Sequence, residues 1–76
     1  MSVKAYILAN VEAGLGDDVV KALASLNGVT SAYNVTGPYD VIAFVEVADT
    51  DALGELVITK IQTVKGIAKT LTCVVI

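Results

Sequence analysis

The apolar positions of this chain change period several times, and the changes divide it into elements. Val3 to Ala9 is rich in β-branched and aromatic residues and reads as a first strand. Asn10 to Gly16 holds two glycines and reads as a loop. From Leu15 to Leu26 the apolar residues fall at 15, 19, 23 and 26, the spacing of one helix face. Asp17 and Asp18 lie in its first turn, where negative charge suits the helix dipole. Asn27-Gly28 ends it. Val29 to Val35 is a second strand, Thr36-Gly37-Pro38 a turn, and Tyr39 to Val47 a third strand. Asp49-Thr50-Asp51 offers a cap for a second amphipathic helix, with apolar residues at 53, 56, 57, 61 and 64. Lys65-Gly66 stops that helix, and Ile67 to Ile76 is a fourth strand.

The order β-α-β-β-α-β contains two similar halves. Leu26-Asn27-Gly28-Val29 leaves the first helix much as Val64-Lys65-Gly66-Ile67 leaves the second. Two right-handed βαβ units sharing one sheet predict an α+β, ferredoxin-like sandwich, with both helices on one face of a four-stranded antiparallel sheet. The first and third strands then lie in the middle. They are apolar on both faces: Ala5, Ile7, Ala9 alternate with Tyr6 and Leu8, and Val41, Ala43, Val45 with Ile42 and Phe44. The other two carry Thr30, Ser31 and Asn34, and Lys69, Thr70 and Thr72, as edge strands should. A sheet with one wet face alternates cleanly. These middle strands do not, so the face without helices is expected to pack on a second copy, sheet to sheet, in a two-fold dimer. The alternative is a mildly apolar open face built from Ala and Tyr.

Size sharpens that expectation. A 76-residue chain makes one small domain, and domains this short lean on disulfides, metals or oligomerisation. The chain has one cysteine and no histidine, which excludes an internal disulfide and leaves no set of zinc or iron–sulfur ligands. Hydrophobic residues make up 55% of it, yet no apolar run approaches the roughly 20 residues of a membrane span. The N-terminus lacks the apolar core and cleavage site of a signal peptide, so the expected location is the cytoplasm. A net charge of −3, with no arginine, argues against a nucleic-acid partner.

Catalytic chemistry finds little purchase. Without histidine there is no Ser-His-Asp or Cys-His set. Asp17-Asp18 and Asp49-Asp51 stand at helix starts, where capping explains them. Gly14-Leu15-Gly16 is too short for a phosphate loop. Cys73 falls in phase with Leu71 and Val75 and reads as a small buried apolar residue. Among functions carried by this fold, metal carriage needs a Cys-x-x-Cys, acylphosphatase chemistry an arginine, and RNA recognition a basic aromatic sheet; none is present.

Thr36-Gly37-Pro38-Tyr39-Asp40 is more specific. It resembles the T-G-x-Y-D signature of the C-terminal effector domain, or RAM domain, of the Lrp/AsnC (leucine-responsive regulatory protein) family. The likeness runs through nearly the whole chain. It includes Gly28-Val29, the acid-capped second helix, and a G-I/V-x-x-T-x-T-x-V/I ending at Gly66, Ile67, Thr70, Thr72 and Val74. The resemblance implies a regulatory domain rather than an enzyme. It implies sheet-to-sheet dimers that assemble further and bind a free amino acid where dimers meet. Gly37, Tyr39 and Asp40 would line that pocket, with Thr70 and Thr72 adding hydroxyls. No cofactor or metal is implied. Such regulators usually carry an N-terminal helix-turn-helix, which this sequence does not show. The expectation is therefore a single module over residues 1–76, pairing with itself and with full-length Lrp/AsnC-type regulators.

The chemistry of the motif agrees. Asp40 can accept an ammonium in a charge-assisted bond, Gly37 leaves its N–H open to a carboxylate, and Pro38 stiffens the turn. Three other readings stand beside it. Gly37-Pro38 can simply make a turn, with Tyr39 packing and Asp40 capping the hairpin. An ACT-type regulatory domain has the same strand order and an early glycine, for which Gly14 would serve. A small dimeric α+β barrel enzyme needs a polar cavity between sheet and helices, against which stand the apolar helix faces (Leu15, Val19, Leu23, Leu26; Leu53, Leu56, Ile61).

Overall fold

The strands lie in the order β2-β3-β1-β4, all antiparallel, so the two most apolar strands are central. The structure, a computed structural model, describes residues 2–76. Its elements are β1 (Val3–Val11), α1 (Gly16–Ala24), β2 (Val29–Asn34), β3 (Val41–Val47), α2 (Thr50–Glu55), a π-helical segment (Leu56–Ile61) and β4 (Ile67–Val74). The core is one layer between sheet and helices. Ala5, Ile7, Ala9, Val41, Ala43 and Val45 meet Val19, Leu23, Leu53, Leu56, Val57 and Ile61, all buried. The pattern read from the sequence thus gives the observed α+β sandwich.

β2 ends at Asn34, β3 begins at Val41 and β4 ends at Val74, each one or two residues inside the expected bounds; three further departures have a local reason. β1 runs past Ala9 to Val11, because Asn10 and Val11 find partners in Lys69 and Ile67 across a register shift. α1 is shorter than its apolar spacing. Leu15 caps it without a side-chain hydrogen bond, and Leu26 instead bonds Leu23 in a tighter turn. The second helix does not stay α-helical. From Leu56 it widens to i→i+5 bonding, and the Gln62 N–H donates to the Val57 carbonyl at 2.9 Å. The β-branched run Val57-Ile58-Thr59, preceded by Gly54, is a weak α-helix former. The helix begins as predicted: Asp49 accepts from the Ala52 N–H at 2.8 Å.

The other sheet face is open. Two cross-strand rows run across it, Tyr33-Ile42-Leu8-Leu71 and Ser31-Phe44-Tyr6-Cys73. The Tyr6 and Phe44 rings touch with centroids 5.0 Å apart. Tyr33, Tyr6 and Leu71 are 61%, 44% and 45% exposed. Lys4 and Glu46 pair at one end of these rows, Asn10 and Lys69 at the other. This corrects the reading of Cys73. It is exposed, not buried, because residues 69, 71 and 73 share the face turned away from the helices. Among the described residues no helix is long and apolar enough to cross a membrane.

Candidate functional site

β2 and β3 are joined by Val35 to Asp40, which hold the Gly-x-Tyr-Asp motif. Gly37 has φ of +145°, a conformation that side chains rarely adopt, and a Cβ there would meet nothing within 4 Å. Its glycine is therefore demanded by backbone geometry, and the space where a Cβ would stand is open. Pro38 is held from the neighbouring strand: the Asn10 side-chain amide donates to its carbonyl at 3.0 Å. Tyr39 is half-buried.

Asp40 is the most constrained member. It lies just outside β3 rather than within it, yet its main chain is bonded on both sides. Its N–H donates to the Ala9 carbonyl and its carbonyl accepts from the Val35 N–H, each at 2.9 Å. Its carboxylate Oδ2 accepts from the Val11 N–H, also at 2.9 Å. The side chain remains exposed, so the carboxylate is fixed in direction and open to solvent. That geometry contains the capping role and leaves negative charge to offer a cation.

Thr70 and Thr72 are on β4, opposite Ala9 and Ile7, on the sheet face toward the helices. β1 separates them from the 37–40 turn, so one chain does not gather all five residues in a single cleft. Instead Thr70 borders a groove of about 330 Å³ together with Gln62, Ile67, Ala68 and Lys69. Gln62 donates through Nε2 to Thr70 Oγ1 at 3.2 Å. Asn10 and Gln62 are the polar residues that sequence reading passed over. Asn10 carried a signal, being a carboxamide at the end of an apolar strand. Gln62 carried none, since only the change of helical register turns it toward β4.

The acidic pairs serve the fold. Asp17 accepts from the Asn34 side chain at 3.0 Å, tying α1 to the end of β2, and Asp49 caps α2. Among the described residues no three His, Cys, Asp or Glu side chains converge as metal ligands.

Known proteins similar to this chain include transcriptional regulators and small proteins of the same shape. Residues 4–76 match the family described as the Lrp/AsnC ligand binding domain. An uncharacterised HTH-type transcriptional regulator of Pyrococcus furiosus is 32% identical over 57 residues, which are 75% of this chain and 38% of that protein. The chain thus spans well under half of that relative. The solved structure of E. coli AsnC superposes with a TM-score of 0.91 at 35% identity, covering 97% of this chain and 50% of that one. A hypothetical protein of Pyrococcus horikoshii superposes with a TM-score of 0.92 at 34% identity, covering 97% and 89% of the two chains. A regulatory ligand-binding domain, not a catalytic one, accounts for this fold and its motif turn, and the chain belongs to the Lrp/AsnC ligand binding domain family.

Proposed function

We propose that this chain is an amino-acid-sensing module that works as an oligomer. Two copies pack open face to open face, and such dimers associate further. The 37–40 turn of one copy then faces a neighbouring copy across a shared effector pocket. The effector's ammonium sits on Asp40 and its carboxylate on the N–H of Gly37. Thr70 and Thr72 contribute hydroxyls, and Tyr39 closes one wall. Mixed assembly with full-length Lrp/AsnC-type regulators, through the same sheet face, passes the signal to transcription.

The observation that carries this reading is Asp40, an exposed carboxylate hydrogen-bonded to the end of β1, in the same turn as a glycine with no neighbouring atom where its Cβ would stand. A fixed anion next to a free donor matches the two ends of a zwitterion. The apolar rows of the open face, rimmed by Lys4-Glu46 and Asn10-Lys69, support the dimer, since such a rim around an apolar centre is the make-up of protein interfaces.

Light scattering after size exclusion, followed by calorimetric titration with each of the twenty amino acids, tests both halves. The expected result is an oligomer that gives saturable heat with one or a few of them, near one per chain. An oligomer that binds none leaves the turn as an assembly contact and defeats the sensing role.

A further inference from the structure

Consecutive residues at the end of β1 hold the motif turn from below. Along β1 the main-chain groups alternate between the two neighbouring strands. Those of Ala9 and Val11 face the β3 side. There the Ala9 carbonyl accepts from the Asp40 N–H and the Val11 N–H donates to Asp40 Oδ2, both at 2.9 Å. The main chain of Asn10 faces the other way, where the residue pairs with Lys69 of β4. Its side chain alone can reach the turn, and Nδ2 donates to the Pro38 carbonyl at 3.0 Å. A carbonyl only accepts, so the nitrogen of the carboxamide must be the atom that faces it. Asn10 is half-buried in a central strand and Pro38 is exposed, so the strand is the anchor and the turn the anchored part.

The base and the tip of the turn are held differently. At the base, Asp40 is fixed through its N–H, its carbonyl and its carboxylate. At the tip, among the described residues, the Asn10 amide makes the one hydrogen bond that reaches residues 36–38. Pro38 has no N–H to add another. Gly37, at φ of +145°, is the residue type with the most backbone freedom to lose on ordering. The carbonyl and N–H of a trans peptide point in opposite directions. Holding the Pro38 carbonyl toward β1 therefore turns the Tyr39 N–H away from β1 and fixes the plane from which the Tyr39 side chain departs. Release of that carbonyl lets the Pro38–Tyr39 peptide rotate and takes Gly37 with it, while Asp40 stays on β1. A ligand that meets a released tip must order it on binding, and affinity falls by that cost.

We propose that Asn10 is a positioning residue for effector binding: its carboxamide, bonded to the Pro38 carbonyl, presets the tip of the turn, and it acts through the turn rather than on the ligand. This rests on the amino-acid-binding reading above and adds a residue outside the motif to it. The test is calorimetric titration of the oligomeric protein with the twenty free amino acids, one at a time, on the parent and on Asn10 variants. Asn10→Leu keeps the branched shape and removes the donor, and Asn10→Ala removes the donor without adding apolar bulk. Asn10→His returns a donor at the same place, since its Nδ1 is also bonded to Cγ; it is measured at about pH 8, where a free imidazole is neutral. Amide hydrogen exchange of the ligand-free proteins supplies a second readout. The expected result is a Kd raised roughly three- to tenfold in Asn10→Leu and Asn10→Ala, the range of one neutral hydrogen bond, and brought back to within about twofold in Asn10→His. The Tyr39 amide should exchange faster in the first two variants before any ligand is added. A Kd unmoved by loss of the donor makes the bond a loop closure and overturns the assignment. So does a loss that Asn10→His does not repair, or a loss with unchanged exchange at Tyr39, which would put Asn10 against the ligand itself. Each of these leaves the sensing role intact. A parent that binds none of the twenty overturns the sensing role and the assignment with it.

Discussion

The Val11 N–H donates to Asp40 Oδ2 at 2.9 Å, so the end of the first strand and the motif turn hold each other. One carboxylate therefore has a structural duty and, in the proposed role, a binding duty. Two substitutions separate them. Asp40→Asn keeps an oxygen acceptor for Val11 and removes the charge. Its stability in urea should stay within about 0.5 kcal/mol of the parent, in line with ordinary surface changes. Amino-acid binding should fall at least tenfold, because an ammonium loses its counter-charge. Asp40→Ala should lose both, with a stability cost of about 1 kcal/mol for the missing hydrogen bond. Unaltered binding by Asp40→Asn would remove the carboxylate from the effector site.

Gly37 tests the turn without touching its charge. At φ of +145° any Cβ is strained even though the space around it is empty. Gly37→Ala should cost roughly 1–3 kcal/mol in chemical denaturation, through backbone strain alone. A cost near zero would mean that the turn relaxes freely and is not a preorganised binding element.

How much of this was legible in the sequence depends on what each feature needs. The sheet order followed from Ile7 beside Leu8 and Val41 beside Ile42, because apolar residues on both faces of a strand place it in the middle. The helix cap at Asp49 followed from short-range chemistry and is where it was expected. Cys73 was misjudged because alternation fixes which residues share a face but not which face meets the helices. The link between Asn10 and Pro38 joins residues 28 apart in the chain, and local pattern holds no trace of it. Gln62 escaped for a different reason. A helix that widens in its second half moves every later side chain, and periodic spacing assumes that it does not. The five residues expected to form one pocket fall on both sides of β1, since a motif names its members without fixing which chain supplies them.

Gly54 offers a stabilising change. It sits inside α2, and a Cβ built there finds nothing within 4 Å. No left-handed backbone requires glycine at this position. Gly54→Ala should raise the stability of the protein by roughly 0.5–1 kcal/mol, the ordinary gain from replacing an interior helical glycine. A denaturation midpoint shifted upward with an unchanged slope is the expected signature. A loss of stability would show that this side of α2 is covered closely by another copy in the assembly.

The open sheet face decides whether the module assembles as proposed. Tyr6 and Leu71 lie in adjacent cross-strand rows and are each nearly half exposed, with no backbone duty beyond their ladders. Tyr6→Lys and Leu71→Lys place ammonium groups where two copies would meet, and a charge buried there without a partner is costly. Each should shift the mass seen by light scattering from oligomer toward monomer, and the double variant should do so completely at micromolar concentration. Cys73 supplies an independent reading, because it sits opposite Tyr6 on the same face. Its thiol should react slowly with a thiol reagent in the parent and at the rate of a free cysteine in the double variant. A fast thiol in an oligomeric parent would move the interface to some other surface, and the shared pocket with it.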